Sequence, residues 1–177
     1  WGDYFLHFGA VEPKKNLGRV VEAYLASGVK TPLVIVGGRG WLSEPETALL
    51  SHVKAIGGPS SDRIHVYEYM SFATLISLIR GARAVLFPSL YEGFGIPPLE
   101  AQQCGCPVIA ARAASLPEVL DDSALFIDPY DVDDIAGLVR LNFGGRVEFH
   151  DGATQLTPER TDDYRVMEVS AGERGEK

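Results

Sequence analysis

Glu92 and Glu100 stand eight residues apart in SLYEGFGIPPLEAQQCGCPVIA (89–110), with two glycines and two prolines between them, directly after the apolar run AVLFP (84–88). A strand that breaks at glycines and re-enters a helix through prolines leaves the first helical N–H groups without intrahelical acceptors. The glycines of GFGI allow a ligand to come close to the backbone. Free donors and the helix dipole together favour an anion, and phosphate fits best. Glu92 precedes that anion position, at the strand end. Glu100 is expected in the first turn of a helix that starts near Pro97 or Pro98. The carboxylates therefore flank a phosphate position rather than share a helix face. A carboxylate accepts two directed hydrogen bonds, which suits sugar hydroxyls; one glutamate suits a ribose and the other a second sugar. Each acid alone has a plainer reading, as a helix-dipole partner worth about 0.3–1 kcal/mol or as a solvated loop charge. The combination points to a ligand.

The elements that must position these residues follow a repeated pattern. Strand-like runs occur at YFLHFG (4–9), PLVIVGG (32–38), RIHVYE (63–68), AVLFP (84–88), PVIAA (107–111) and ALFID (124–128). Between them lie helical patterns. NLGRVVEAYLAS (16–27) carries Leu17, Val20, Val21, Tyr24 and Leu25 on one face. EPETALLSHVKAIG (44–57), SFATLISLIRGA (71–82, with Ser71 as N-cap), PPLEAQQCG (97–105) and DVDDIAGLVRLN (131–142) continue the alternation. Repeated β–α units with short connections specify an α/β fold, a doubly wound, Rossmann-like parallel sheet with helices on both faces. In such sheets ligands bind outside the carboxyl ends of the strands, which places Gly9–Asn16, Gly37–Gly40 and Tyr91–Ile96 on one rim. The pattern stops after Asn142. Residues 1–142 are expected to form one domain, and 143–177 a polar tail, a hairpin or disordered, with RVEFH and YRVMEV as its strand candidates.

Composition narrows the classes. The chain has 177 residues, 46% hydrophobic and 23% charged, enough for a packed core. Its formal net charge of −8 and the lack of a basic cluster beyond Lys14–Lys15 argue against a nucleic-acid partner. No apolar run approaches the ~20 residues that span a bilayer. The first residue is Trp1, so the chain is expected to be cut from something longer. Cys104 and Cys106, one residue apart, are read as packing thiols in a reducing setting rather than as a disulfide or metal pair. Asp131 and Asp133 of DVD sit at a helix start, where capping explains them better than a metal; no metal site is expected. His7 is expected in the core or at the rim, and GGRG (37–40) either borders a nucleotide or makes a plain turn.

Over residues 4–141 the chain resembles the carboxyl-terminal half of GT-B glycosyltransferases of the GT4 type. The resemblance is carried by GAVEPKKNL (9–17), RIHVYEYMSFATLISLIRGARAVLFPS (63–89), the Glu92–seven residues–Glu100 motif, SLPEV (115–119) and DPYDVDDIA (128–136). The EP-basic-Lys-Asn loop is similar to that of bacterial polysaccharide mannosyltransferases. The resemblance implies a metal-independent, retaining transferase that takes a hexose from a nucleoside-diphosphate sugar, with GDP-mannose as the suggested donor and a glycan or lipid-linked acceptor. Glu92 would then be the catalytic residue at the donor sugar, and Glu100 would bind the ribose. Gly9, Lys14, Lys15 and the Gly93, Phe94, Gly95 and Ile96 stretch would hold the diphosphate, and the base would lie near HVYEYM (65–70). Relatives often carry an arginine near Ala10 and Val11, for which Lys14 is the substitute here. The family's amino-terminal half, which supplies the acceptor site, is missing from this chain. The setting implied is cytoplasmic, at the inner face of the membrane, with peripheral association of the full enzyme. The alternative is a nucleotide-sugar binding or regulatory module without transferase activity.

Overall fold

The computed structural model describes residues 3–141, together with the backbone of two short strands at 148–150 and 153–155. In chain order the elements are β1 (Phe5–Phe8), α1 (Leu17–Ser27), β2 (Leu33–Val36), α2 (Glu44–Ile56), β3 (Ile64–Tyr67), α3 (Phe72–Gly81), β4 (Ala84–Phe87), α4 (Ile96–Gln103), β5 (Val108–Ala111), α5 (Leu116–Leu120), β6 (Leu125–Ile127) and α6 (Val132–Arg140). The six strands form one parallel sheet in the order β3-β2-β1-β4-β5-β6. This is the Rossmann order, whose direction reverses between β1 and β4.

Every residue of β1, β2, β4 and β5 is buried, which explains why these strands read as unbroken apolar runs rather than alternating ones. Right-handed crossovers put α1, α2 and α6 on one face of the sheet and α3, α4 and α5 on the other. On the first face α1 buries Leu17, Val20, Val21 and Tyr24, and α6 buries Ile135, Ala136 and Val139. Arg140 of α6 donates to the carbonyls of Ala26 (3.0 Å) and Ser27 (3.3 Å) at the end of α1. Side-chain caps start two helices: Ser71 accepts from the Thr74 N–H at 3.2 Å, and Asp131 accepts from the N–H groups of Asp133 and Asp134 at 2.8 and 3.2 Å. The first acid of DVD is thus a helix cap.

Among the described residues no helix is long and apolar enough to cross a membrane. In the carboxyl-terminal stretch β7 (Glu148–His150, within RVEFH) pairs antiparallel with β8 (Ala153–Gln155). YRVMEV lies outside the described residues.

Candidate functional site

The sheet reverses direction between β1 and β4, so the segments that follow these two strands diverge into different layers and leave a crevice. Three interactions tie the two segments together. The Leu90 N–H donates to the Lys14 carbonyl at 2.7 Å. The Lys15 ammonium meets the Glu92 carboxylate at 2.6 Å, with both side chains only about one-tenth exposed (12% and 11%). Asn16 is buried and left-handed (φ 60°, ψ 32°); its amide donates to the carbonyls of Pro88 at 3.1 Å and Pro129 at 2.8 Å. Asn16 therefore joins the exits of β1, β4 and β6, and its Oδ1 accepts from Arg19 at 3.0 Å. The exit of β5 joins through Ser115, whose hydroxyl donates to the Glu92 carbonyl at 3.0 Å.

The β1 and β2 exits are also locked. Their ladder continues beyond the strands without a slip: Gly9 N–H donates to the Val36 carbonyl at 3.0 Å, Val11 N–H to Gly38 at 2.9 Å and Gly40 N–H to Val11 at 3.0 Å. Gly37 permits this because a Cβ there would lie 2.0 Å from the Gly9 carbonyl oxygen. GGRG is thus an extension of the sheet rather than a plain turn.

The expected site residues fall in different states. Glu92 and Lys15 are paired, and Lys15 also lies over the Phe87 ring at 5.0 Å. Lys14 turns to Glu12 at 3.0 Å, with its side chain half exposed, and the hydrogen bond it donates to Glu12 holds its ammonium above the usual lysine range. Gly9 spends its N–H on β2; a Cβ there would be in ordinary contact with the Lys15 stem at 3.9 Å, and its φ of 133° is one that side chains rarely adopt. Gly93, Phe94 and Ile96 are exposed, and among the described residues the N–H groups of 93–96 make no hydrogen bond outside the helix. The Glu100 carboxylate is half-buried and has no partner among the described residues.

One expectation is corrected. Helix α4 starts at Ile96, after a left-handed Gly95 (φ 94°), so Pro97 and Pro98 are its second and third residues and Glu100 its fifth. Glu100 lies beyond the first turn. Prolines are tolerated there because the N–H groups they lack have no helical acceptor in any case. They also remove two of the four free donors at this helix end, leaving those of Gly95 and Ile96. The free donors at this corner consequently come as much from the Gly93–Gly95 loop as from the helix.

Next to this crevice His7 of β1 is buried, and its Nδ1–H donates to the Leu86 carbonyl of β4 at 2.9 Å. Burial pushes the imidazole down to about 4, so it is neutral near pH 7. Among the described residues no group of three or more His, Cys, Asp or Glu could hold a metal ion. Asn16 and Ser115 were not singled out as site residues from the sequence, although an Asn immediately before a helix is a recognisable signal.

Comparison with known proteins gives the family and the fold. Residues 2–143 match the family model described as glycosyl transferases group 1. The O-antigen chain mannosyltransferase B of Escherichia coli is 37% identical over 140 residues, covering 77% of this chain and 35% of its own length. The O-antigen chain mannosyltransferase RfbU of Salmonella typhimurium is 33% identical over 129 residues, covering 73% of this chain and 35% of its own. The chain thus spans about a third of these relatives. Among solved structures, Anabaena Alr3699/HepE in complex with UDP and glucose superposes with a TM-score of 0.68 at 20% identity, over 78% of this chain and 38% of that one. An α,α-trehalose-phosphate synthase from Burkholderia xenovorans does so with a TM-score of 0.70 at 16% identity, over 82% and 36%. At such identities the structures speak for the fold, half of a GT-B glycosyltransferase.

Proposed function

Because the chain belongs to the glycosyl transferases group 1 family, we propose that it is the donor-binding half of a retaining hexosyltransferase. The full enzyme would take a sugar, mannose by its relatives, from a nucleoside-diphosphate donor to a glycan or lipid-linked acceptor. The observation that carries this reading is the convergence at the β1–β4 crevice. The loop after β4 brings Glu92 to Lys15 at 2.6 Å, and the residues that follow it carry the unoccupied N–H groups of 93–96 and the unpaired Glu100; in this reading they line one opening.

In this reading the diphosphate takes the N–H groups of Gly93, Phe94, Gly95 and Ile96 and the ammonium of Lys15. Lys14, committed to Glu12 at the edge, adds field rather than contact. Glu100 accepts from the ribose hydroxyls, and Glu92 from the transferred sugar. The base lies along the exit of β3 near Tyr67–Met70. As the sugar–phosphate bond breaks, negative charge gathers on the leaving diphosphate. Donors already aimed at it stabilise that charge without reorganisation at the moment of reaction. The acceptor would come from the remainder of the enzyme, and the domain would work at the inner face of a membrane through that remainder.

Calorimetric titration of the chain with GDP, GDP-mannose, UDP and UDP-glucose tests the reading. Lys15→Ala should weaken nucleotide binding by about 1.5–3 kcal/mol, the range of a hydrogen bond to a charged group. Glu100→Gln should weaken nucleotide and nucleotide sugar alike, since both carry the ribose. A wild-type chain that binds none of the four at millimolar concentration, or a Lys15→Ala variant that binds as the wild type does, refutes the assignment. Sugar transfer by the chain alone, at about 1 per second or faster, would show that the site needs no second half.

A further inference from the structure

The pairing of Lys15 with Glu92 has a consequence for which ligand the crevice prefers. The ammonium is held at 2.6 Å by a carboxylate of its own chain, both groups are almost covered, and the ring of Phe87 backs the ammonium at 5.0 Å. Lys14 is turned to Glu12 at 3.0 Å and is half exposed, so its charge is the more screened of the two. Lys15 has two further N–H donors, but a phosphate that takes them comes within reach of the Glu92 charge. The carboxylate cannot stay beside the phosphate, since like charges within ~4 Å in a partly dry site repel strongly. Nor can it leave without cost, because a carboxylate moved in a covered site needs new donors. Its backbone is pinned by Ser115, so only the side chain can swing.

We infer that Glu92 discriminates between the nucleotide sugar and the bare nucleoside diphosphate by competing with the phosphate for Lys15. A sugar-bearing donor brings hydroxyls to which the displaced carboxylate can turn, so both anions end with donors. A bare nucleoside diphosphate brings only ribose hydroxyls, which this reading gives to Glu100, so Glu92 either keeps Lys15 or is left without a partner. The same competition helps to expel the diphosphate once the sugar has gone. The inference rests on the reading of the crevice as a nucleotide-sugar site, and it goes beyond that reading in giving Glu92 a role before any chemistry.

Titrations of wild type, Glu92→Gln, Lys15→Ala and the double variant with GDP and GDP-mannose, and with UDP and UDP-glucose, test it. Glu92→Gln should bind the bare diphosphate about tenfold tighter, the scale of one charged hydrogen bond released. It should bind the nucleotide sugar no tighter, so the wild-type preference for the sugar form collapses. In the Lys15→Ala background the same change should give no tightening, which separates competition for Lys15 from a general loss of negative charge. Equal or weaker binding of the bare diphosphate by folded Glu92→Gln overturns the inference while leaving the nucleotide site standing. Tightening that persists without Lys15 overturns it as well. A wild-type chain that binds none of the four ligands fails the functional reading itself, and the inference falls with it.

Discussion

Asn16→Ala should be among the most damaging single changes at the crevice, and its cost can be worked from the geometry. The amide makes two hydrogen bonds, at 3.1 and 2.8 Å, to the carbonyls of Pro88 and Pro129, and the residue is buried. Each bond is worth roughly 0.5–1.5 kcal/mol net, and each buried carbonyl left without a partner adds to that cost. The backbone adds a second contribution. At φ 60° and ψ 32° Asn is tolerated, whereas an ordinary L-residue pays roughly 1–2 kcal/mol. The sum is about 2–5 kcal/mol. For a chain of this size that lowers the unfolding midpoint by roughly 4–20 °C, at about 2–4 °C per kcal/mol. Asn16→Gly loses the same hydrogen bonds but not the backbone tolerance, so it should be about 1 kcal/mol less damaging than Ala. Asn16→Asp keeps the shape but sets a carboxylate against two carbonyls, and it should recover as the pH falls and the acid gains a proton to donate. Urea unfolding followed by circular dichroism, with linear extrapolation, measures all three. An alanine variant within about 0.5 kcal/mol of wild type, or one more stable than the glycine variant, refutes the clamp.

Two more outcomes follow from neighbouring residues. His7 has its pKa lowered to about 4, below the ordinary 6.5 of the unfolded chain. The unfolded state therefore binds the proton first, and His7 contributes stability above pH 6.5 that is lost as the pH falls toward 4, about 3 kcal/mol in all. His7→Gln should flatten the stability–pH curve in that window; an unchanged slope in urea unfolding would place the titration elsewhere. Gly93 and Gly95 should separate binding from folding. A Cβ at Gly93 meets nothing within 4 Å, whereas at Gly95 (φ 94°) it would lie 2.8 Å from a Leu116 methyl. Gly93→Ala should cost nucleotide affinity at unchanged stability, and Gly95→Ala should cost stability first; loss of stability in Gly93→Ala would contradict this division.

The elements were legible because their signals are local. Short apolar runs such as LVIV (33–36) and AVLF (84–87), bounded by turn formers, suit strands buried on both faces, and the spacing of Leu17, Val20, Val21 and Tyr24 suits one face of a helix. The rim that carries Glu92 followed from the rule that ligands bind outside the carboxyl ends of the strands. What was missed depends on residues far apart in the chain. Asn16 gains its meaning from Pro88 and Pro129, and the commitment of Lys15 from Glu92, 77 residues away. The depth of Glu100 in α4 was misjudged because two prolines read as a helix start, when the left-handed Gly95 already turns the chain into the helix at Ile96. GGRG left two readings open because only the contacts of Gly9 and Val11 show it to be ladder.

The packing of α6 on α1 also sets an order of events in synthesis. Ala26 and Ser27 are held by Arg140, more than a hundred residues later, and Asn16 waits for Pro129 in the same way. A chain emerging from the ribosome exposes the apolar stripe of α1 long before residues 132–140 exist to cover it. Contacts of such long range slow folding because the loop they close must be ordered before they repay it. Until then, the uncovered helix and open strand edges are surfaces to which another nascent chain can adhere. The crevice is completed only after Pro129, beyond β6, has reached Asn16, so a ligand that requires the finished crevice cannot assist the earlier steps.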